Sequence, residues 1–183
     1  MAALERGLDR PLDRPLDRRD ILGGNWRGAR PVRPPGALSR RRFEELCDGC
    51  GDCAAACPAN AIRMTGPATA ASDRSPEIVA IESPCIMCDG LACSTVCAAG
   101  ALAPEVPGAM RIARVAFHAS YCWTALGIDP GCDYCFDRCP LKGTAITYRR
   151  GRGPTIEAGA CTGCGSCVFT CPAAPKALTL TAA

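Results

Sequence analysis

The sequence is poor in the residues that build an ordinary hydrophobic core. Leu, Ile, Val and Phe together account for 32 of the 183 residues, and there are only two Trp and three Tyr. Chains in which these four apolar residues make up less than about 20% fall in the range associated with disorder. A folded protein of this composition therefore needs another source of stabilisation.

The sequence does not contain the motifs of several functional classes. The chain has no G-x-G-x-x-G or P-loop pattern and only one histidine, so neither a nucleotide-binding loop nor a Ser/His/Asp set is predicted. No apolar run approaches the ~18 residues that would span a membrane. Arg18-Arg19 and Arg40-Arg41 each resemble part of a twin-arginine signal, but no apolar stretch follows either. We therefore expect a cytoplasmic protein that is not an enzyme and has no transmembrane segment.

What the chain does have is sixteen cysteines in four runs. The fourth run, Cys161–Cys171, reads C-x2-C-x2-C-x3-C before a proline, which is the bacterial-ferredoxin ligand run for a 4Fe–4S cluster. The first run has the same spacing, the second widens its middle gap, and the third has a nine-residue gap after its first cysteine. The predicted ligands of four 4Fe–4S clusters are Cys47, Cys50, Cys53, Cys57, Cys85, Cys88, Cys93, Cys97, Cys122, Cys132, Cys135, Cys139, Cys161, Cys164, Cys167 and Cys171.

The spacing of these runs has a chemical reason. In two-cluster ferredoxins the first three cysteines of a run wrap one cluster, and the fourth, after a short helical step, ligates the neighbouring cluster. Gly163 and Gly165 allow a positive φ, which lets amide N–H groups turn toward the sulfurs. Metal–thiolate bonds would then replace the missing core, so the metal-free chain is expected to be largely unfolded.

Zinc is the main alternative metal. Zinc sites usually combine two C-x2-C pairs about 15–20 residues apart, or mixed Cys and His ligands, and this chain fits that pattern poorly. Cys122 is assigned as the missing ligand of the third run by inference, because the insert after it can loop out and return it to the cluster. His118 is expected to be partly exposed and structural, since the cysteines already supply a complete ligand set.

The spacers predict the fold. They hold 27, 24 and 21 residues, which is room for two short strands each, so the chain is predicted to be α+β with two bacterial-ferredoxin-like modules of two clusters and much coil. Phe43–Leu46 is expected to be a helical turn, and Leu102 to pair with the segment 111–117. The other predicted strands are 61–64, 77–81, 145–148, 155–157 and 176–181, of which the pair 145–148 and 155–157 forms a hairpin.

The charge divides the chain into a basic arm, residues 1–42, and a polyferredoxin body, residues 43–183. The arm holds eleven Arg and five acids, whereas the body holds ten basic and thirteen acidic residues. Residues 8–19 repeat Leu-Asp-Arg-Pro, and the prolines at 31, 34 and 35 predict a stiff linker. Nucleic-acid binding is disfavoured, because Asp alternates with Arg and few aromatics are present.

The segment 18–27 of the arm has the composition of a short docking peptide that becomes ordered on a partner protein. Packing of its tryptophan on the body of the same chain is an equally open alternative. The predicted partner contacts in this segment are Arg18, Arg19, Ile21, Leu22 and Trp26.

Taken together, these runs resemble the NapF/NapG/MauM group of ferredoxin-type proteins over about residues 18–180. The stretches 85–97 and 121–141 look like the NapG/MauM branch, whereas 18–35 looks like the NapF branch, which has no export signal; the absence of a true signal here favours NapF. That resemblance implies docking in the cytoplasm on the catalytic subunit of a periplasmic molybdenum nitrate reductase, with supply of electrons during its maturation. The alternative is an electron-transfer subunit between a quinol oxidase module and a reductase.

The resemblance also bears on how the runs pair. Related four-cluster subunits nest one module inside the other, which implies pairing of the first run with the fourth and of the second with the third. The spacer lengths alone fit sequential pairing equally well.

Overall fold

A computed structural model describes residues 31–66, 74–106 and 108–183 of the chain. Pro31–Ala183 forms one compact unit. The predicted partner segment around Arg18 and Trp26 lies outside the described residues. In the described ranges, no helix is long and apolar enough to cross a membrane.

The helices are short and accompany the cysteine runs. In the described ranges, one helix leads into the first cysteine, and each of the four α-helices that follow begins inside one of the four runs. Their bounds are Arg40–Leu46 (α1), Asp52–Ala55 (α2), Ala92–Thr95 (α3), Tyr134–Asp137 (α4) and Ser166–Thr170 (α5), with a 3-10 turn at Ala119–Tyr121. Each of these helices is seven residues long or shorter.

In the part of the chain that the structure describes, the strands form three separate two-stranded antiparallel sheets. Their bounds are Ile62–Thr65 (β1), Ser75–Ile78 (β2), Ala113–Phe117 (β3), Ile146–Arg149 (β4), Gly153–Ile156 (β5) and Leu178–Ala182 (β6). β1 pairs with β2, β3 with β6, and β4 with β5. The predicted hairpin and closing strand are present within one or two residues, whereas β2 ends at Ile78 and the chain turns where the prediction continued to residue 81.

Two modules follow each other along the chain, module 1 over residues 31–110 and module 2 over residues 111–183. In module 2, β3 enters before the third run, the hairpin β4–β5 separates the runs, and β6 returns to pair with β3. Module 1 repeats this plan with the hairpin β1–β2 and a single bridge between Ala37 and Leu102. The predicted pairing of Leu102 with 111–117 is therefore wrong, because each module closes on its own first strand segment.

The prolines at 31–35 belong to module 1 in the structure. Pro34 and Pro35 are buried, the Ile78 amide donates to the Val32 carbonyl at 2.7 Å, and the Leu38 amide donates to the Ala101 carbonyl at 3.1 Å. The sequence assigns these residues to the arm and its linker. Backbone hydrogen bonds to two different parts of module 1 instead make them part of its framework.

Cysteine side chains fill much of the core. The largest cluster of buried residues combines Phe43, Leu91 and Met110 with thiols, among them Cys53 and Cys93. Two smaller clusters in module 2 are built around further cysteines. The shortage of large apolar residues in the sequence is thus reflected in a core that is interrupted by thiol groups.

Candidate iron–sulfur sites

The sixteen cysteines gather in four groups of four, each built from two runs. Three cysteines of a group come from one run, and the fourth is the last cysteine of the partner run in the same module. The groups are Cys47, Cys50, Cys53 and Cys97 (site 1), Cys57, Cys85, Cys88 and Cys93 (site 2), Cys122, Cys132, Cys135 and Cys171 (site 3), and Cys139, Cys161, Cys164 and Cys167 (site 4). The exchange of the fourth cysteine is the arrangement that the C-x2-C-x2-C-x3-C spacing predicts.

The nested pairing of runs is wrong. The first run shares its sites with the second, and the third run shares its sites with the fourth, so the pairing is sequential. The physical reason is the hairpin in each inner spacer: β1–β2 and β4–β5 reverse the chain at once and return the next run to the preceding one. Neither spacer crosses to the other module, as nesting would require.

Backbone conformation shapes the ligand loops. In the first and fourth runs, Gly51 and Gly165 have φ of 88° and 90° at equivalent positions, immediately before α2 and α5. The second run uses non-glycine residues for the same purpose, Met87 at φ 54° and Leu91 at φ 41°. Such values are uncommon for bulky side chains. The sequence did not predict a positive φ for Met87 or Leu91, because only a glycine indicates such a conformation from the sequence.

Three of the sites enclose cavities with mostly apolar walls. The cavity of site 3 is bounded by Phe117, Trp123, Ala177 and Leu178 besides its cysteines, and it measures about 320 Å³ including the part open to solvent. The cavities of sites 4 and 1 measure about 360 and 340 Å³ on the same basis. The cysteines of these three sites therefore line apolar concavities that are partly open to solvent.

Burial changes the acidity of the thiols. It raises the pKa of Cys53 to about 11, and the pKa values of Cys93 and Cys135 to about 12, with neighbouring cysteines adding to the effect. A desolvated thiolate is costly, and thiolates crowded together repel one another. These thiols are protonated at neutral pH when no metal is present, so a bound metal cluster has to displace their protons.

The donor chemistry fits a 4Fe–4S cluster at each site. All sixteen cysteines are free of disulfide bonds, and the Ala61 amide donates to the Cys57 sulfur at 3.4 Å. Across the described ranges, no three or more His, Cys, Asp or Glu side chains converge closely enough to hold one metal ion. Four thiols spread around a common space instead match the ligand set of a cubane cluster.

Cys122 is buried with the other cysteines of site 3. The insert that follows it is held by Thr124, which is 1% exposed. The Thr124 hydroxyl shares a hydrogen bond with the Tyr148 hydroxyl at 3.1 Å and accepts one from the Gly151 amide at 3.3 Å. The insert therefore packs on the hairpin β4–β5, and this role of Thr124 was not evident from the sequence.

His118 and Cys50 differ from the buried side chains that line the sites. His118 lies at the end of β3 with Nε2 3.0 Å from the Thr179 hydroxyl and does not line the cavity of site 3. Cys50 is the exposed member of the sixteen cysteines, and its amide donates to the Asp48 carboxylate at 3.1 Å, which lowers the pKa of Asp48. Site 1 therefore includes a cysteine that is exposed at the molecular surface.

Two family models match the chain. A 4Fe–4S dicluster domain matches residues 46–101, and a 4Fe–4S binding domain matches residues 152–173. The first match covers the first and second runs together, as the sequential pairing in the structure requires.

Relatives of known name extend the match over most of the chain. MauM of Methylorubrum extorquens, a methylamine utilization ferredoxin-type protein, is 36% identical over 154 residues, which cover 78% of this chain and 69% of MauM. NapG of Escherichia coli is 34% identical over 153 residues, or 76% of this chain and 65% of NapG. NapF of Escherichia coli is 26% identical over 160 residues, 85% of this chain and 89% of NapF. The chain thus spans less than two thirds of the length of NapG, and it belongs to the family of ferredoxin-type 4Fe–4S proteins that includes MauM and NapG.

Proposed function

We propose that this chain carries one 4Fe–4S cluster in each of its four sites and relays electrons between two redox proteins. The observation that carries the proposal is the grouping of all sixteen cysteines into four sets of four. The family to which the chain belongs is one of ferredoxin-type proteins. The chain acts as an electron carrier and not as an enzyme.

When bound, the clusters supply one-electron redox chemistry. The residues of the chain determine the conditions under which they act. The thiols hold the iron, the Ala61 amide donates toward the Cys57 sulfur, and apolar walls such as Phe117 and Leu178 limit the access of water to site 3. Hydrogen bonds to sulfur and solvent exposure are the means by which a protein adjusts the potential of such a group.

The two modules differ in charge. Module 1 contains six basic and nine acidic residues, a formal −3, whereas module 2 contains eight basic and four acidic residues, a formal +4. Each oxidised 4Fe–4S cluster with its four thiolates would add about −2, so the loaded module 1 is strongly acidic and the loaded module 2 is close to neutral. Complementary charge speeds encounter and suppresses wrong partners, so a redox partner with a basic surface would be directed to module 1.

The relay is favoured over a role in maturation by the degree of similarity. MauM and NapG are 34–36% identical to this chain, whereas NapF is 26% identical. The second candidate is action in the cytoplasm on the catalytic subunit of a nitrate reductase before its export. What favours it is the resemblance of the segment 18–35 to the start of NapF, with Arg18, Arg19 and Trp26 as contacts.

Anaerobic purification with metal and sulfide analysis tests the proposal at its base. We expect about sixteen iron and sixteen sulfide per chain, from four 4Fe–4S clusters. Stoichiometric zinc without the visible absorption of iron–sulfur clusters would overturn it.

Binding experiments separate the two candidates. The wild-type chain and a variant with the triple substitution Arg18→Glu, Arg19→Glu and Trp26→Ala are compared. Each is mixed with the catalytic subunit of a nitrate reductase, once in its mature form and once in its precursor form. A stable complex with the mature enzyme supports the relay. Binding to the precursor alone, abolished by the triple substitution, supports maturation.

A further inference from the structure

The ligand loops of sites 2 and 4 touch across the boundary between the modules. The Cys85 amide, in module 1, donates to the Cys164 carbonyl, in module 2, at 2.9 Å. Both cysteines are 8% exposed and belong to the same cluster of buried residues. The hydrogen bond therefore joins a cysteine of site 2 directly to a cysteine of site 4.

A second contact joins the same two loops. The Thr162 hydroxyl donates to the Met87 sulfur at 3.4 Å. Thr162 lies between Cys161 and Cys164 and is 2% exposed, and its carbonyl accepts from the Ile112 amide at 3.0 Å, which fixes it in module 2. Met87 lies between Cys85 and Cys88, so this contact also runs from one ligand loop to the other.

The packing around these bonds is tight. A Cβ placed on Gly165 would collide with the side chain of Ala80, which is buried in module 1. Gly165 belongs to the ligand loop of site 4, so even a methyl group does not fit between that loop and module 1. The junction of the modules is defined by Ala80, Cys85, Met87, Thr162 and Cys164.

Sites 1 and 3 do not take part in this junction. None of the junction residues lines the cavity of site 1 or of site 3, whereas Thr162 and Cys164 line the cavity of site 4. Site 1 is linked to site 2 within module 1, and site 3 is linked to site 4 within module 2, because the two runs of each module exchange their fourth cysteines.

We propose that sites 2 and 4 are the neighbouring pair across the junction, so that the four sites follow one another in the order 1, 2, 4, 3. This order rests on the proposed function in that each site holds a cluster. It differs from the order of the runs along the chain, in which the third run precedes the fourth. Sites 1 and 3 are then the two ends of the series, and an electron that crosses between modules passes at Cys85 and Cys164.

Magnetic coupling between reduced clusters tests the order without any measurement of activity. Cys50→Ser with Cys132→Ser removes sites 1 and 3 and leaves sites 2 and 4. Cys88→Ser with Cys161→Ser is the matched control, which removes sites 2 and 4. Both double variants are purified anaerobically, reduced with dithionite, and examined by electron paramagnetic resonance together with iron analysis.

With about eight iron retained in each variant, we expect a broadened interaction spectrum when sites 2 and 4 remain, and two uncoupled signals when sites 1 and 3 remain. Uncoupled signals from sites 2 and 4, or coupling between sites 1 and 3, would overturn the order. The proposed function fails in a different way, because a wild-type protein without reducible iron–sulfur signals would show no clusters at all.

A substitution outside the ligand sets decides the matter if a double variant does not retain its iron. Ala80→Leu inserts a larger side chain at the junction while leaving every cysteine in place, and Ala55→Leu, at an exposed position of α2, is its control. We expect Ala80→Leu to keep about sixteen iron and to lose part of the interaction spectrum that Ala55→Leu retains. Equal coupling in the two variants at equal iron content would contradict the proposal.

Discussion

The backbone of Gly163 passes so close to Ala113 that a Cβ on Gly163 would overlap the backbone of Ala113. Gly163 belongs to the ligand loop of site 4 and has φ 72°, and Ala113 begins β3. The sequence predicts the positive φ from the motif, but not the close approach of the two segments. The ligand loop can approach β3 this closely because Gly163 has no side chain.

Gly163→Ala is expected to be much more harmful than an alanine at another glycine of similar conformation. Gly100→Ala is the control, because Gly100 has φ 69° and its missing Cβ would meet nothing. The positive φ costs about 1–2 kcal/mol in either variant, and overpacking against Ala113 adds about 1–3 kcal/mol only at Gly163. Thermal unfolding of the iron-loaded protein under anaerobic conditions measures the difference, and equal midpoints would show that the close approach is unimportant.

Substitution of Cys57 tests the sequential pairing of runs. Cys57→Ser is expected to disturb site 2, so that Cys85, Cys88 and Cys93 become reactive toward an alkylating reagent while the cysteines of the fourth run stay protected. The reason is that Cys57 lies with these three thiols although it belongs to the first run. Peptide mass spectrometry after alkylation identifies the exposed thiols. Labelling of Cys161, Cys164 and Cys167 instead would support nested modules.

Cys171→Ser provides the corresponding test in module 2. It is expected to expose Cys122, Cys132 and Cys135, which share site 3 with Cys171. Sequential pairing requires that each fourth cysteine affects only its own module. Labelling of site 1 in this variant would contradict it.

The grouping of the first three cysteines of each run and most of the strands could be predicted from the sequence, because both depend on local patterns. The spacing of Cys161–Cys171 determines which thiols act together, and alternating apolar residues mark the hairpin β4–β5. Pairing of the runs was not predictable, since spacers of 27, 24 and 21 residues are long enough for either arrangement. The partner of β3 was missed for a related reason: β6 lies some sixty residues away, and no local signal joins the two.

Contacts between distant segments were also beyond prediction. Met87 reads as an apolar residue between two ligands, yet it adopts φ 54° and accepts a hydrogen bond from Thr162. Pro34 and Pro35 are predicted to be part of a linker because proline stiffens an extended chain, but both are buried within module 1. In each case, the deciding partner lies far away in sequence.

Removal of the metal is expected to unfold module 1 and module 2. Buried thiols such as Cys53 and Cys93 occupy the core together with few large apolar residues, and metal binding supplies folding free energy in proteins of this kind. Treatment with a chelator and an oxidant should abolish most of the far-ultraviolet circular dichroism along with the visible absorption. Retention of the native dichroism in iron-free protein would show that the apolar contacts suffice.

Arg33 is expected to contribute to stability through the segment that enters module 1. Its Nη1 donates to the Ser75 hydroxyl at 2.6 Å and to the Pro76 carbonyl at 2.8 Å, and its guanidinium lies 4.8 Å from the centre of the Phe43 ring. Burial lowers the pKa of Arg33, but the group is satisfied by these partners. Arg33→Ala should destabilise the protein by about 2–3 kcal/mol, from charged hydrogen bonds and a cation–π contact.

Arg63→Ala is the control for Arg33→Ala. Arg63 forms an ion pair with Glu82, but its side chain is 60% exposed, and exposed pairs contribute about 0–1 kcal/mol. Thermal unfolding of both variants at equal iron content gives the comparison. Similar losses in the two would mean that the entering segment is held by its backbone bonds alone.

Thr124→Val is expected to loosen site 3 without removing a ligand. Valine has nearly the same shape but lacks the hydroxyl that accepts from the Gly151 amide and bonds with Tyr148. Because Gly151 is exposed and Tyr148 is half-buried, the loss is that of an ordinary hydrogen bond, about 0.5–1.5 kcal/mol. Because the insert connects Cys122 to Cys132, its detachment from the hairpin β4–β5 should make these two thiols the first to react as iron is withdrawn by a chelator. Thr95→Val, at an exposed threonine that donates to the Gly90 carbonyl near site 2, should leave the order of thiol release as in the wild type. If Cys122 and Cys132 react no earlier in Thr124→Val than in that control, the insert is positioned by its cysteines and not by Thr124.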